Sequence, residues 1–386
     1  MNPIHYGKQE ITAEDVAAVL ETLQSDFLTQ GPKIAEFEQK FADYIGAKYA
    51  IAVANGTAAL HLSALALGVN EKSNVIVSPL TFVASANCIR YCGGNVFFAD
   101  INPDTLTLDV DKVEALILSK PKGFFQGIIP VDFAGYPVDL ERYKQLAQRY
   151  NLWILEDSCH ALGSYFLDSK GQKQTCGNGN FADAAIFSFH PVKHITCGEG
   201  GMITTNRKDI YEKLLLLRTH GITKNPKLLF ENHGGWYYEM QTLGYNYRLT
   251  DFQAALGISQ LKRVDENLQK RKKIAQHYDK AFENHKFIQK APFHEGNSYH
   301  LYVIQTEKRK ELYNFLRTQN IFCQVHYIPV HWQPYYQALG WKKGDLPEVE
   351  KYYEKCLSLP IYPTLSESEQ NYVIEKIFTF FDEENR

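Results

Sequence analysis

Ala184–Ala185–Ile186–Phe187–Ser188–Phe189–His190–Pro191–Val192–Lys193 is an apolar run that ends in a serine and opens into a loop carrying a lysine. The loop is followed by the glycine-rich Gly198–Glu199–Gly200–Gly201. A lysine desolvated by the strand before it keeps a neutral, nucleophilic amine, which covalent capture of an aldehyde requires. Upstream, Leu152–Trp153–Ile154–Leu155 leads through Glu156 into Asp157, with His160 three residues beyond. An aspartate there either caps a following helix or faces a ligand. Lys193 and Asp157 together are the minimum pair for chemistry on pyridoxal 5′-phosphate (PLP). The amine forms a Schiff base, and the carboxylate keeps the pyridine nitrogen protonated.

The segments around these two runs predict the fold. Tyr49–Val53, Val75–Val77, Val96–Ala99, Gly127–Val131, Leu152–Leu155, Ala184–Ser188 and Met202–Thr205 read as strands. Thr57–Leu67, Phe82–Tyr91 and Leu140–Tyr150 read as helices between them. Such alternation predicts an α/β domain on a mostly parallel sheet covered on both faces. Ligands of such sheets bind outside the carboxyl ends of the strands, where Asn55–Thr57, Asp157 and Ser188–Lys193 all lie. From Leu249 to about Asn284 a charged, proline-free stretch predicts one long connecting helix. The strand His300–Gln305, a helix near Lys308–Thr318, the strand Ile321–Tyr327 and a helix from Glu367 then predict a smaller α+β C-terminal domain. The division is set at residues 1–248 and 249–386, within a possible range of about 248 to 286.

Composition narrows the function. The 386 residues are 45% hydrophobic and 22% charged with a formal net charge of −3, ordinary values for a soluble globular protein. No concentrated basic patch exists to neutralise phosphates, so nucleic acid is not an expected partner. Met1–Tyr6 lacks the regions of a signal peptide, and no apolar run reaches the roughly 18 residues that span a bilayer. Seven scattered cysteines, with Cys88 and Cys92 lacking a second pair, predict reduced thiols in a cytoplasmic protein and no metal site.

Further candidates surround Lys193 and Asp157. Asn55–Gly56–Thr57–Ala58–Ala59 joins a strand to a helix, and free amides at a helix N-terminus bind phosphate where glycine allows close approach. No Gly-Lys-Ser/Thr follows, so this is not a Walker loop, and no Gly-x-Gly-x-x-Gly supports a nicotinamide oxidoreductase. Ser188 is placed to add a hydroxyl to the phosphate. Phe82 either packs in a core or stacks on the pyridine ring. His160 packs, stacks on the ring or bonds its phenolic oxygen. Tyr245–Asn246–Tyr247–Arg248 is either a solvated loop or one that reaches a phosphate in its own or a neighbouring subunit. Gln324–Val325–His326–Tyr327 either lines the site or forms an edge strand.

The strings Glu156–Gly163, Phe187–Lys193 and Gly244–Tyr245–Asn246–Tyr247–Arg248–Leu249 resemble the DegT/DnrJ/StrS sugar aminotransferases, a family of PLP enzymes with the aspartate aminotransferase-like fold of type I. The resemblance runs nearly end to end. His160, Ser188–Lys193 and Val325–Tyr327 are most similar to the 4-aminotransferases of pseudaminic acid biosynthesis, whereas Ala54–Asn55–Gly56–Thr57 is similar to the broad family. The resemblance implies Lys193 as the Schiff-base lysine and proton shuttle, Asp157 opposite the ring nitrogen and Phe82 stacked on the ring. Gly56, Thr57, Ala58 and Ser188 would hold the phosphate, with Asn246 supplied by the second subunit of a homodimer. Tyr6, Asp26, Phe27, Leu28, Thr29, Gln324, Val325, His326 and Tyr327 would line the nucleotide-sugar site.

The implied reaction passes an amino group from L-glutamate to C4 of UDP-2-acetamido-2,6-dideoxy-β-L-arabino-hex-4-ulose. The product would be UDP-4-amino-4,6-dideoxy-N-acetyl-β-L-altrosamine. Other nucleotide-linked 4-keto sugars stay open as substrates: a UDP-4-keto-pentose, the UDP-bacillosamine precursor or the GDP-perosamine precursor. A non-catalytic PLP-binding regulator is a further alternative, and the intact Lys193 and Asp157 speak against it.

Overall fold

A computed structural model describes residues 2–290 and 292–384. Its centre is a seven-stranded sheet: β1 (Tyr49–Val53), β2 (Asn74–Val77), β3 (Asn95–Phe98), β4 (Gly127–Ile129), β5 (Trp153–Asp157), β6 (Ala184–Ser188) and β7 (Gly201–Thr205). The spatial order is β1-β7-β6-β5-β4-β2-β3. Every pairing is parallel except those of β7, which runs antiparallel to both neighbours. Because β7 is reversed, its first residue, Gly201, lies at the same sheet edge as the ends of β1 and β6, opposite Val53 and Ser188. A Cβ on Gly201 would sit 2.5 Å from the Asn55 carbonyl oxygen, so only glycine lets the two chains meet there.

The helices between strands follow from their apolar spacing. Leu140–Tyr150 buries Leu140, Tyr143, Leu146 and Ala147, one face at helical period, and Asp139 caps it by accepting the Arg142 amide. Asn151, at φ 56°, ends it and turns the chain into β5. The helix Gly56–Ala66 is buried over most of its surface, and its small residues Ala58, Ala59, Ser63 and Ala64 let it lie close on the sheet.

Two of the expected elements differ. The single connector over 249–284 is two helices, Asp251–Leu261 and Val264–Ala281. The chain turns at Lys262–Arg263, where Arg263 reaches back to the buried Asp15 and to the Glu10 carbonyl. The first of the pair is bound to the large sheet's side: the Asp251 carboxylate accepts the Gly31 and Lys33 amides and so caps the helix Pro32–Ile45. Apolar side chains as far as Leu268 join Phe37, Phe41 and Phe189, whereas those from Ile274 join a second core that runs to Phe381 and includes Ile4. The strand expected over Ile321–Tyr327 is paired only at Ile321–Phe322, alongside Ile4–His5, with a further single bridge from Gln324 to Ser358. Tyr302–Gln305 pairs instead with Cys356–Leu359. No helix among the described residues is long and apolar enough to cross a membrane.

Candidate active site

The carboxyl edge of the sheet carries a cavity of about 490 Å³. Asn55, Gly56 and Thr57 reach it from the end of β1, Asp157, Cys159 and His160 from β5, and Ser188 and Lys193 from β6. Thr81, Phe82 and Ser85 enter from the turn after β2. Tyr6, His326 and Tyr327 close it from the other side, brought there by the pairing of Ile4–His5 with Ile321–Phe322. The loop bearing Lys193 is folded back by Phe189, whose amide donates to the Gly200 carbonyl while its carbonyl accepts from the Cys197 amide.

Asp157 is buried and both carboxylate oxygens are held. Oδ2 accepts the Ser85 hydroxyl at 2.6 Å and Oδ1 accepts the Cys159 amide at 3.1 Å. Burial lowers the pKa of the half-buried Lys193 amine, while Cys159 and Asp157 oppose the shift. The amine makes no hydrogen bond or ion pair among the described residues.

His160 is buried with both ring nitrogens engaged. Nδ1 lies 3.2 Å from the Ala134 amide, which can only donate, so the proton resides on Nε2, 3.2 Å from the Tyr327 hydroxyl. The rings of His160 and His300 lie 4.3 Å apart and those of His194 and His300 5.6 Å. Burial, aided by the charge of Lys193, pushes all three imidazoles well below the usual histidine range, so the lysine faces neutral rings. His326 is pushed down to about 3 by the same causes, with its Nδ1 2.8 Å from the Ser358 hydroxyl.

Beneath Asp157, Asp132 and Glu156 form a buried pair. Glu156 accepts the Gly177 amide, and Asp132 accepts the Val138 amide and the Ser158 hydroxyl. Burial raises both acids above the usual carboxylate range.

This arrangement suits PLP. The Phe82 ring is 59% exposed and lines the cavity, an aromatic face left open to a flat partner. A Cβ on Gly56 would lie 3.1 Å from that of Ser188, so glycine keeps room at the helix N-terminus for a phosphate. The Ala58 amide, however, already donates to Asn55 Oδ1 at 2.8 Å, which leaves the Gly56 and Thr57 amides as the unoccupied donors of that turn.

Not every expected residue lies in this cavity. Asp26, Phe27, Leu28 and Thr29 are exposed beside the start of the helix Asp251–Leu261, where the Leu28 carbonyl accepts the Asp251 amide. Asn246 is also exposed, on a segment pinned to the end of β1 by the Tyr247 carbonyl. Gln324 is exposed and outside the cavity lining, its own side chain accepting the Val325 amide, and Val325 packs against two apolar cores. In turn Thr81, Ser85, Cys159 and His300 reach the cavity without having been singled out. Cys159 stood within a motif, whereas Ser85 carries no sequence signal, since its partner is 72 residues away.

Residues 9–378 match the DegT/DnrJ/EryC1/StrS aminotransferase family. The chain is 39% identical to the UDP-4-amino-4,6-dideoxy-N-acetyl-β-L-altrosamine transaminase of Campylobacter jejuni, covering 98% of each chain. Among solved structures it is similar to Helicobacter pylori PseC, an aminotransferase involved in the biosynthesis of pseudoaminic acid, with a TM-score of 0.89, 32% identity and coverage of 99% and 100%. It is also similar to the Streptococcus pneumoniae protein Spr1654 in its PLP form, with a TM-score of 0.87, 30% identity and 98% of both chains covered.

Proposed function

Because the chain belongs to the DegT/DnrJ/EryC1/StrS aminotransferase family, and is a PLP-dependent sugar aminotransferase of fold type I, we propose that it aminates C4 of UDP-2-acetamido-2,6-dideoxy-β-L-arabino-hex-4-ulose with L-glutamate as donor. The product is UDP-4-amino-4,6-dideoxy-N-acetyl-β-L-altrosamine. The observation that carries the reading is one cavity with Lys193, Asp157 and the Phe82 face on the sheet side and Tyr6, His326 and Tyr327 opposite. Relatives of this length and similarity include a transaminase named for that product.

PLP, when bound, supplies an electron sink that allows an amine to be exchanged for a ketone. In the proposed roles Lys193 would hold the cofactor through Nζ and, once the incoming amino donor has displaced it, its free amine would move a proton at the reacting carbon. Burial lowers the pKa of this amine and so favours the neutral form that the first task needs. Asp157 would pair with the ring nitrogen and Phe82 would pack on the ring. Gly56, Thr57 and Ser188 would hold the phosphate, joined by Asn246 of a second copy, while the Ala58 amide stays on Asn55. His160, as the neutral Nε2–H form, orients Tyr327 or the ring's phenolic oxygen. Tyr6, His326 and Tyr327 border the sugar, with Asp26–Thr29 entering from the second copy.

The same proposal places the cofactor unit in residues 1–248 and the covering unit in 249–386. It also places the protein in the cytoplasm, which the seven unbridged cysteines support.

The test is absorbance of the purified holoprotein during sequential additions. Glutamate is expected to shift the cofactor band, and the UDP-linked keto sugar to restore it. Lys193→Ala is expected to abolish both changes while the far-ultraviolet circular dichroism is unchanged. Restoration only by a UDP-4-keto-pentose or a GDP-linked keto sugar would reject this substrate and keep the reaction. Turnover by Lys193→Ala would reject the mechanism.

A further inference from the structure

Asp157 is held by two hydroxyls in series. Ser85 Oγ lies 2.6 Å from Asp157 Oδ2, and Thr81 Oγ1 lies 2.6 Å from Ser85 Oγ. All three side chains are buried, at 3% exposure or less for the two hydroxyl residues. A carboxylate only accepts, so the single Ser85 proton is committed to Asp157. Ser85 therefore cannot also donate to the Phe82 carbonyl at 3.3 Å, and Thr81 must be the donor to Ser85. A hydroxyl–carboxylate distance of 2.6 Å is that of a charge-assisted bond, stronger than a neutral one. Both hydroxyls flank Phe82 in sequence, so one short turn presents the stacking face and orients the carboxylate.

We propose that Ser85, backed by Thr81, is a positioning residue that fixes the Asp157 carboxylate toward the cofactor's ring nitrogen. The inference rests on the PLP role of Asp157 given above. It assigns function to a residue on a different strand's turn from Lys193 and Asp157. Freed of Ser85, the carboxylate keeps only the Cys159 amide and rotates about its last torsion, weakening the contact it makes into the cavity.

The test compares binding of two probes to the apo-protein by equilibrium dialysis. One is pyridoxamine 5′-phosphate; the other is its deaza analogue, in which carbon replaces the ring nitrogen. Ser85→Ala is expected to weaken pyridoxamine 5′-phosphate about tenfold, the scale of one lost hydrogen bond to a charged group, and to leave the deaza analogue within about twofold. Thr81→Val is expected to act in the same direction with a smaller loss, and Ser85→Thr to restore binding. In an Asp157→Asn background, Ser85→Ala is expected to add nothing. Equal losses for both probes, or none for either, would overturn the positioning role. Failure of the unaltered chain to bind either probe would instead strike the cofactor assignment on which the inference stands.

Discussion

Burial lowers the pKa of the Lys193 amine, as it does that of Lys272, and at Lys193 the opposing effects of Cys159 and Asp157 only partly offset it. A lowered pKa means more of the neutral, reactive form at neutral pH. In the apo-protein, limiting trinitrobenzenesulfonate at neutral pH is expected to modify Lys193 ahead of the exposed lysines, read by peptide mass spectrometry. Its rate profile against pH is expected to have a midpoint below theirs. Labelling of exposed lysines first would show the amine held cationic. Lys193 and Asp157 were legible because each follows an apolar strand and chemistry gathers at such ends. Ser85 was not, because a serine in the first turn of a helix has no distinguishing pattern until Asp157 is folded against it.

At the scale of elements, the turn between Asp251–Leu261 and Val264–Ala281 is set by a long-range ion pair. Asp15 is fully buried, accepts two bonds from Arg263 at 2.9 and 2.5 Å, and also takes Gln260 and the Thr12 amide. Burial alone would raise its pKa, but the Arg263 and Thr12 bonds outweigh that and hold it below the usual carboxylate range. The ion pair is therefore complete at neutral pH, and its contribution is lost as pH falls through the lowered pKa. Asp15→Ala leaves Arg263 without its carboxylate and is expected to cost about 3 kcal/mol in urea unfolding at neutral pH. The loss is expected to shrink in strong acid. A change under about 0.5 kcal/mol would show that the turn does not depend on this pair. The sequence predicted one helix here because Lys262 and Arg263 are good helix formers; the break lies in what Arg263 reaches, which no local propensity encodes.

At the scale of the molecule, the proposed second copy explains why Asn246 and Asp26–Thr29 are exposed and apart from their own chain's cavity. Val16, Leu20 and Leu23 form an exposed apolar stripe at helical spacing on the adjacent helix Ala13–Leu23, a face suited to a subunit contact. If Asn246 serves the neighbouring site, Lys193→Ala and Asn246→Ala subunits carry complementary defects. Mixing the two inactive variants and allowing random reassociation is expected to restore about a quarter of the original activity at limiting PLP, since half the dimers then hold one intact site. No recovery, with mixed dimers shown to form, would place Asn246 in its own subunit's site.

The sequence by itself determined the α/β sheet and the placement of Lys193 and Asp157 at its carboxyl edge. Strand and helix periodicity are local, and a short motif between two elements carries its chemistry with it. Tertiary structure decided the rest. It reversed β7 so that Gly201 meets Asn55, broke the connector at Arg263, and drew Ser85 onto Asp157 and Tyr327 onto His160. Each of these depends on residues far apart in the chain meeting at one place, and the energy of such contacts exists only once the surrounding core has formed and excluded water.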